Sequence, residues 1–137
     1  VDHLAALATG GGCVYLVDVD VTAMRFFPID PALAELQERY TLFHKKRGND
    51  LSVGLRLGDL LGRAGLSVER FACRARVFKS PPGMRPPSWA ARAQMVADGV
   101  ATEDDFERWG QALEASEANP ERPWIFPATF VAVGRKP

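Results

Sequence analysis

The sequence predicts an α/β fold in which a small mixed sheet of three strands is flanked by helices. Three observations predict it. Cys13–Val19 is an almost unbroken apolar run, the pattern of a strand covered on both faces in a parallel sheet between helix layers. Val68–Phe78 alternates cleanly from Phe71 onward, as a half-buried antiparallel or edge strand does. The segments between the strands carry apolar residues at helical spacing.

Each element follows in order. Residues around Asp2 to Ala8 read as the end of a helix with Leu4 and Leu7 on one face, stopped by Gly10–Gly12. The Cys13–Val19 strand comes next, ending near Asp18 and Asp20. Pro28 and Pro31 interrupt the chain, and Asp30-Pro31 is a helix start with proline in the first turn. Leu33, Leu36, Tyr40 and Phe43 form that helix's inner stripe, and Gly48-Asn49-Asp50 ends it. A short helix follows with Leu57, Leu60, Leu61 and Ala64 facing inward and Gly65 as its stop. In the second strand Phe71, Cys73, Ala75 and Val77 point one way, and Ala72, Arg74, Arg76 and Phe78 the other.

Ser80–Pro87 is too rich in proline for regular structure. Ser88 can cap a helix to about Asp98 with Trp89, Arg92, Met95 and Val96 along one side. Thr102-Glu103-Asp104-Asp105 starts the next helix in the manner of a capping box, with Phe106, Trp109 and Leu113 inward. Asn119-Pro120 closes it, and Ile125–Val133 is the last strand. The expected organisation is a single domain, 1–137, with residues 79–121 as a helical insertion or lid.

Composition bounds the function. A chain of 137 residues has room for one core and buries roughly two-thirds of its unfolded surface. Seventeen basic residues balance seventeen acidic ones, so no global field recruits nucleic acid or an anionic membrane. The basic group Arg70, Arg74, Arg76 and Lys79 reads as solvated strand surface. No apolar run approaches the ~20 residues of a membrane span. Cys13 and Cys73 have neither metal-site nor redox spacing, and buried, reduced thiols in a cytoplasmic protein are expected. The start at Val1 fits an excised fragment. There is no Cys/His metal cluster, no phosphate loop and no interpretable Ser/His/Asp spacing, so a hydrolase or metalloenzyme has no positive support.

Three motifs carry a family resemblance. Ala8-Thr9-Gly10-Gly11-Gly12 leads into Val14-Tyr15-Leu16-Val17-Asp18; Leu60-Leu61-Gly62-Arg63-Ala64-Gly65-Leu66 leads into Val68; and Phe130-Val131-Ala132-Val133-Gly134-Arg135-Lys136-Pro137 closes the chain. In this order and spacing they resemble the C-terminal half of a Rossmann-like methyltransferase that uses S-adenosylmethionine (SAM). The resemblance implies three neighbouring strands, the last inserted antiparallel between the two that precede it. It implies a small-molecule methyl acceptor and SAM as cofactor of the parent enzyme. The family's cofactor glycine loop leaves a strand and opens a helix, whereas Gly10–Gly12 enters a strand. No residue of this chain is therefore expected to bind SAM, and the chain alone is expected to be inactive.

The candidate substrate residues are Asp20, Arg25, Phe26 and Trp89. Asp20 lies near a strand's carboxyl end, where open α/β sheets hold ligands; the competing reading bonds it to neighbouring N–H groups or to Arg25. Met24–Pro28 is bulky and apolar for a loop, fit to cover a substrate or to pack under the insertion. Trp89 follows the proline-rich loop and is the best lid residue, while Phe106 and Trp109 read as core. His44 is a weak candidate base, because no acid lies three or four residues away to orient it. The competing class is a stand-alone α/β binding or dimerisation module without catalysis. With the family's other half absent, the unblunted Cys13–Val19 edge is left bare, and the chain is expected to associate, most simply as a two-fold homodimer that pairs these edges or exchanges an element.

Overall fold

In the computed structural model, which describes residues Val1–Pro137, local signals place most of the helices. They are α1 (Asp2–Leu7), α2 (Pro31–Lys46), α3 (Leu57–Arg63), α4 (Pro87–Ala90), α5 (Arg92–Ala97) and α6 (Glu103–Ala118), with a 3₁₀ turn at Val53–Arg56 before α3. The strands are β1 (Cys13–Phe27), β2 (Ser67–Ala75), β3 (Phe78–Lys79) and β4 (Trp124–Arg135). The Asp30 carboxylate accepts from Ala32 N–H at 2.8 Å, with Pro31 as the first helical residue of α2. Thr102 and Asp105 close a reciprocal capping box on α6, with bonds of 3.0 and 3.1 Å. Both satisfy N–H groups that a helix start leaves open.

The strands form one open four-stranded sheet of order β1-β4-β2, with β3 also paired to β4. β4 is antiparallel to β2, Ser67 facing Arg135 and Ala75 facing Ala128, and antiparallel to β3, Phe78 facing Ile125. Gly11 N–H donates to Lys136 O (2.9 Å) and Lys136 N–H to Gly12 O (2.8 Å), so β1 begins beside the end of β4. The last strand thus lies between β1 and β2. Four strands replace the expected three because Arg76 and Val77 separate β3 from β2. The neighbouring strands are antiparallel rather than mixed, since β1 and β2 each pair with β4 and not with each other.

β1 runs well past the expected end at Val19. Val19, Val21 and Thr22 are β-branched, Phe26 and Phe27 aromatic, and such residues favour extended backbone. Pro28, which has no N–H to offer, ends it. Met24–Phe27 is consequently strand rather than loop, and Asp18 and Asp20 sit in mid-strand.

The chain divides into two compact units. The first holds Val1–Met24, Leu51–Arg76 and Pro127–Pro137; the second holds Arg25–Asp50 and Val77–Phe126. In the first unit Leu57, Leu61 and Leu66 pack with Ala5, Val14 and Ala132. Small residues make the approach possible: a Cβ on Gly134 would lie 3.0 Å from Leu66 Cβ and 3.1 Å from Leu61 Cδ2. Only one side of β1 is packed this way. Tyr15 and Val17 on the other side remain 64% and 53% exposed, which corrects the expectation of a strand covered on both faces. Cys13 and Cys73 are likewise exposed, not buried. Cys13 shares the bare side of β1, and β2 is an edge strand with every residue but Ala72 exposed.

In the second unit α2 contributes Leu36, Tyr40 and Phe43 to the interior, and α6 contributes Trp109 and Leu113. The helix expected from Ser88 to Asp98 is two short ones joined at Ala91. Pro86 and Pro87 start α4, so Ser88 lies inside it, fully buried, instead of capping it. Arg108 ties α6 to α2, its guanidinium 2.6 Å from Glu35 and 2.7 Å from Asp105. No helix is long and apolar enough to cross a membrane.

Two stability predictions follow from these contacts. Gly134→Ala should destabilise the chain by about 1–3 kcal/mol, because the new methyl displaces Leu61 and Leu66; urea unfolding measures it. The second concerns acid. The hydrogen bond from Arg108 holds the Glu35 carboxyl below its ordinary range, and bonding within the Thr102 cap does the same first for Asp105, with Arg108 adding to it. A lowered folded pKa means stabilisation that is complete above the ordinary carboxylate range and lost as pH falls through the lowered values. Arg108→Gln should therefore melt below the parent chain at neutral pH, and the gap should close in acid. A gap that stays constant with pH would contradict this linkage.

Candidate functional site

A concave space of about 150 Å3 opens within the second unit. Its floor is apolar: Phe26 near the end of β1, Leu33 and Leu36 on α2, Leu113 on α6 and Ile125 on β4. The α2 residues reach it because the cap at Asp30 fixes where the helix starts, so positions 33, 36 and 37 fall on one face. The proline-rich loop forms a further wall through Pro81, Pro82, Met84 and Pro86. That loop is held at its root, where Ser80 N–H donates to Pro123 O at 2.9 Å. Nearby, Lys79 pairs with Glu121 at 3.0 Å and lies 5.3 Å from the centre of the Trp124 ring. Prolines lose little freedom on ordering, so holding this wall in place costs little conformational entropy.

Charge is confined to a few positions around this space. Glu117 is paired with Arg85 at 3.0 Å. Asp30 is engaged with Ala32 N–H at the start of α2. Arg122 also lines the space, half-buried. Ser80, Ser116 and Gln37 complete the polar lining. No histidine or cysteine lines it, and the chain has no group of three or more His, Cys, Asp or Glu placed to hold a metal ion. The arrangement is suited to binding an apolar molecule; it offers no nucleophile paired with a base.

Of the site residues singled out from the sequence, Phe26 lines this space, as does Pro28 of the Met24–Pro28 segment, whereas Asp20, Arg25, Trp89 and His44 do not. Asp20 is buried in the first unit, and its Oδ1 accepts from Thr22 N–H (2.8 Å), Thr22 Oγ1 (2.6 Å) and Ala23 N–H (3.1 Å). It fixes the local path of β1. Arg25 is exposed at the start of the second unit's part of β1, and it has an interaction partner. His44 closes α2: Asn49 Nδ2 lies 2.9 Å from its Nδ1, and its ring sits edge-on to Tyr40 and Phe43 at 4.5 and 5.0 Å.

Trp89 packs α4 against α6, its ring 5.6 Å from Phe106 and capped by the Arg92 guanidinium at 4.1 Å. The Arg92 Nη1 also donates to Trp89 O at 2.7 Å. Gly110 lies under this ring, where a Cβ would meet Trp89 Cη2 at 3.4 Å. Reasoning from sequence missed Leu33, Ile125 and Arg122 as lining residues. Leu33 read as the inner stripe of its helix and Ile125 as the start of the last strand, and the prolines at 81–87 read only as a segment without regular structure.

The glycine turn before β1 enters a strand, and its amides are bonded within the chain. Gly11 N–H is taken by Lys136 O (2.9 Å) and Gly12 N–H by Thr9 O (2.8 Å), so these amides serve the sheet and the turn. A cofactor loop needs such amides free and aimed at the ligand from the start of a helix. No protein-family model matches the chain, and no curated protein matches it in sequence.

Proposed function

We propose that this chain is the substrate-side half of a SAM-dependent methyltransferase acting on a small molecule, with the Rossmann-like, SAM-binding half lying outside it. The observation that carries the reading is the position of β4, between β1 and β2 and antiparallel to its neighbours. That is the arrangement the resembled family gives its last strand. The apolar space in the second unit supports a small acceptor, with Phe26 in its wall. Within such an enzyme this half contributes binding, orientation and exclusion of water. The engaged amides of Gly11 and Gly12 support the view that this chain alone is inactive.

The competing reading, a stand-alone binding or dimerisation module, draws on one observation. The space is lined entirely by residues of one unit, so it can hold a ligand without a second protein half. Calorimetric titration of SAM separates the two readings in part. The chain alone should give no saturable heat up to millimolar SAM; micromolar binding would overturn the assignment of the cofactor to another segment. Adding the upstream half should restore SAM binding and methyl transfer if the first reading is right.

The sheet also bears on association. β1 stands at one end of the strand order, so one of its edges has no strand partner, and Tyr15 and Val17 beside it are exposed. No lysine, proline or inward charge blunts Cys13–Val17. In the proposed enzyme the cofactor half covers this edge; in the chain alone a second copy takes its place as a two-fold dimer. Light scattering should give the mass of a dimer, and Val17→Lys should return it to a monomer. A monodisperse monomer of the parent chain would refute the edge pairing.

A further inference from the structure

The apolar space in the second unit has one charged residue whose partner is missing. Glu117 is neutralised by Arg85, and Asp30 is held by the N–H of Ala32 at the positive end of a 16-residue helix. Arg122 lines the same space, half-buried, with neither a hydrogen bond nor an ion pair. Two other long cations of this unit are engaged, Lys79 of β3 with Glu121 and Arg47 after α2 with Asp98.

A guanidinium against apolar walls is not neutral ground. It cannot lose its proton, and partial burial removes water that would otherwise solvate it. Its planar fork matches two parallel oxygens, and a carboxylate supplies them in one group. The reduced dielectric of an apolar wall strengthens that bond relative to water. Size restricts the remainder of the ligand. A dry apolar cavity of about 150 Å3 is the volume that holds a benzene ring, and this space has the same volume.

We infer that the space takes a small apolar carboxylic acid with one ring or an equivalent branched chain. The carboxylate is held by Arg122, and the apolar body lies among Leu33, Leu36, Leu113 and Ile125. This names the substrate class of the site proposed above and rests on reading that space as the small-molecule site. The nearby charges set the specificity. Glu117 is already paired with Arg85, and with Arg122 engaged a second negative group on the ligand would find no free cation in the lining.

The test uses the whole chain and three probes of one shape: phenylacetate, phenylacetamide and phenethylamine. Saturation-transfer NMR and calorimetry compare their affinities at neutral pH. Phenylacetate should bind about ten-fold or more tightly than phenylacetamide, the margin of a charge-assisted bond, and phenethylamine should bind most weakly. Arg122→Gln should erase the preference for the acid while leaving the weak binding of the amide in place. Ser116→Leu, which fills the space from α6, should abolish binding of all three, with the circular dichroism spectrum retained.

Equal affinity for acid and amide, preference for the amine, or an Arg122→Gln variant that keeps the acid preference would overturn the carboxylate inference and leave the space as a small-molecule site. Binding that survives Ser116→Leu would place the probe elsewhere and overturn it as well. Failure of all three probes to bind the folded chain at millimolar concentration would overturn both the inference and the reading on which it rests.

Discussion

The constraint on which the first unit depends is the thinness of β4 where α3 crosses it. Ala132 is fully buried, and Gly134 offers no side chain, so Leu61 and Leu66 reach the strand's backbone. Any larger residue there would lift the helix and open the cluster that also holds Ala5 and Val14. The same strand is the neighbour of β1 and of β2, so its placement organises both. β1 and β2 have no ladder with each other to fall back on. One strand with small inward residues therefore fixes the helix above it and the strands beside it.

In the second unit fixed helix starts and stiff loops do the corresponding work. Asp30 sets the phase of α2, and the Thr102–Asp105 box sets that of α6. Arg108 then joins them through Glu35 and Asp105. With the phases fixed, Leu33, Leu36 and Leu113 meet the proline wall at one place. An ordered concave surface loses little entropy when a ligand enters, and the prolines at 81, 82 and 86 lower that cost further. Form here follows from capping and from proline, more than from any reactive group.

What could be read in the sequence was what acts locally. Asp30-Pro31, Thr102–Asp105, Gly65 and the Leu36–Tyr40–Phe43 stripe are signals whose partners lie within a turn or two, and the structure places each as its chemistry requires. The extension of β1 through Asp18 and Asp20 was hidden because charged and turn-forming residues interrupt the apolar run. Their cost is met locally, by Thr22 and Ala23 donating to Asp20. The exposure of Cys13, Tyr15 and Val17 was hidden for another reason. An unbroken apolar run states that two faces can be covered, not that this chain supplies both covers. Arg122 gave no sign at all, since an unpaired charge is defined only by what fails to approach it in space.

The fate of the candidate residues bears on the kind of chemistry this chain can support. Asp20, His44 and Trp89 are polar or aromatic groups of the sort that active sites use, and each is occupied by local structure: a strand bend, a helix end, a helix–helix contact. None is brought into the apolar space, whose polar residues are hydroxyls, an amide and engaged or unengaged charges. Acyl transfer or hydrolysis needs a nucleophile and a base within hydrogen-bonding reach, and this arrangement lacks them. Transfer of a group from an already activated donor asks less of the acceptor's side: a fixed orientation and a dry surface. An apolar wall with a single unanswered guanidinium is compatible with those two demands.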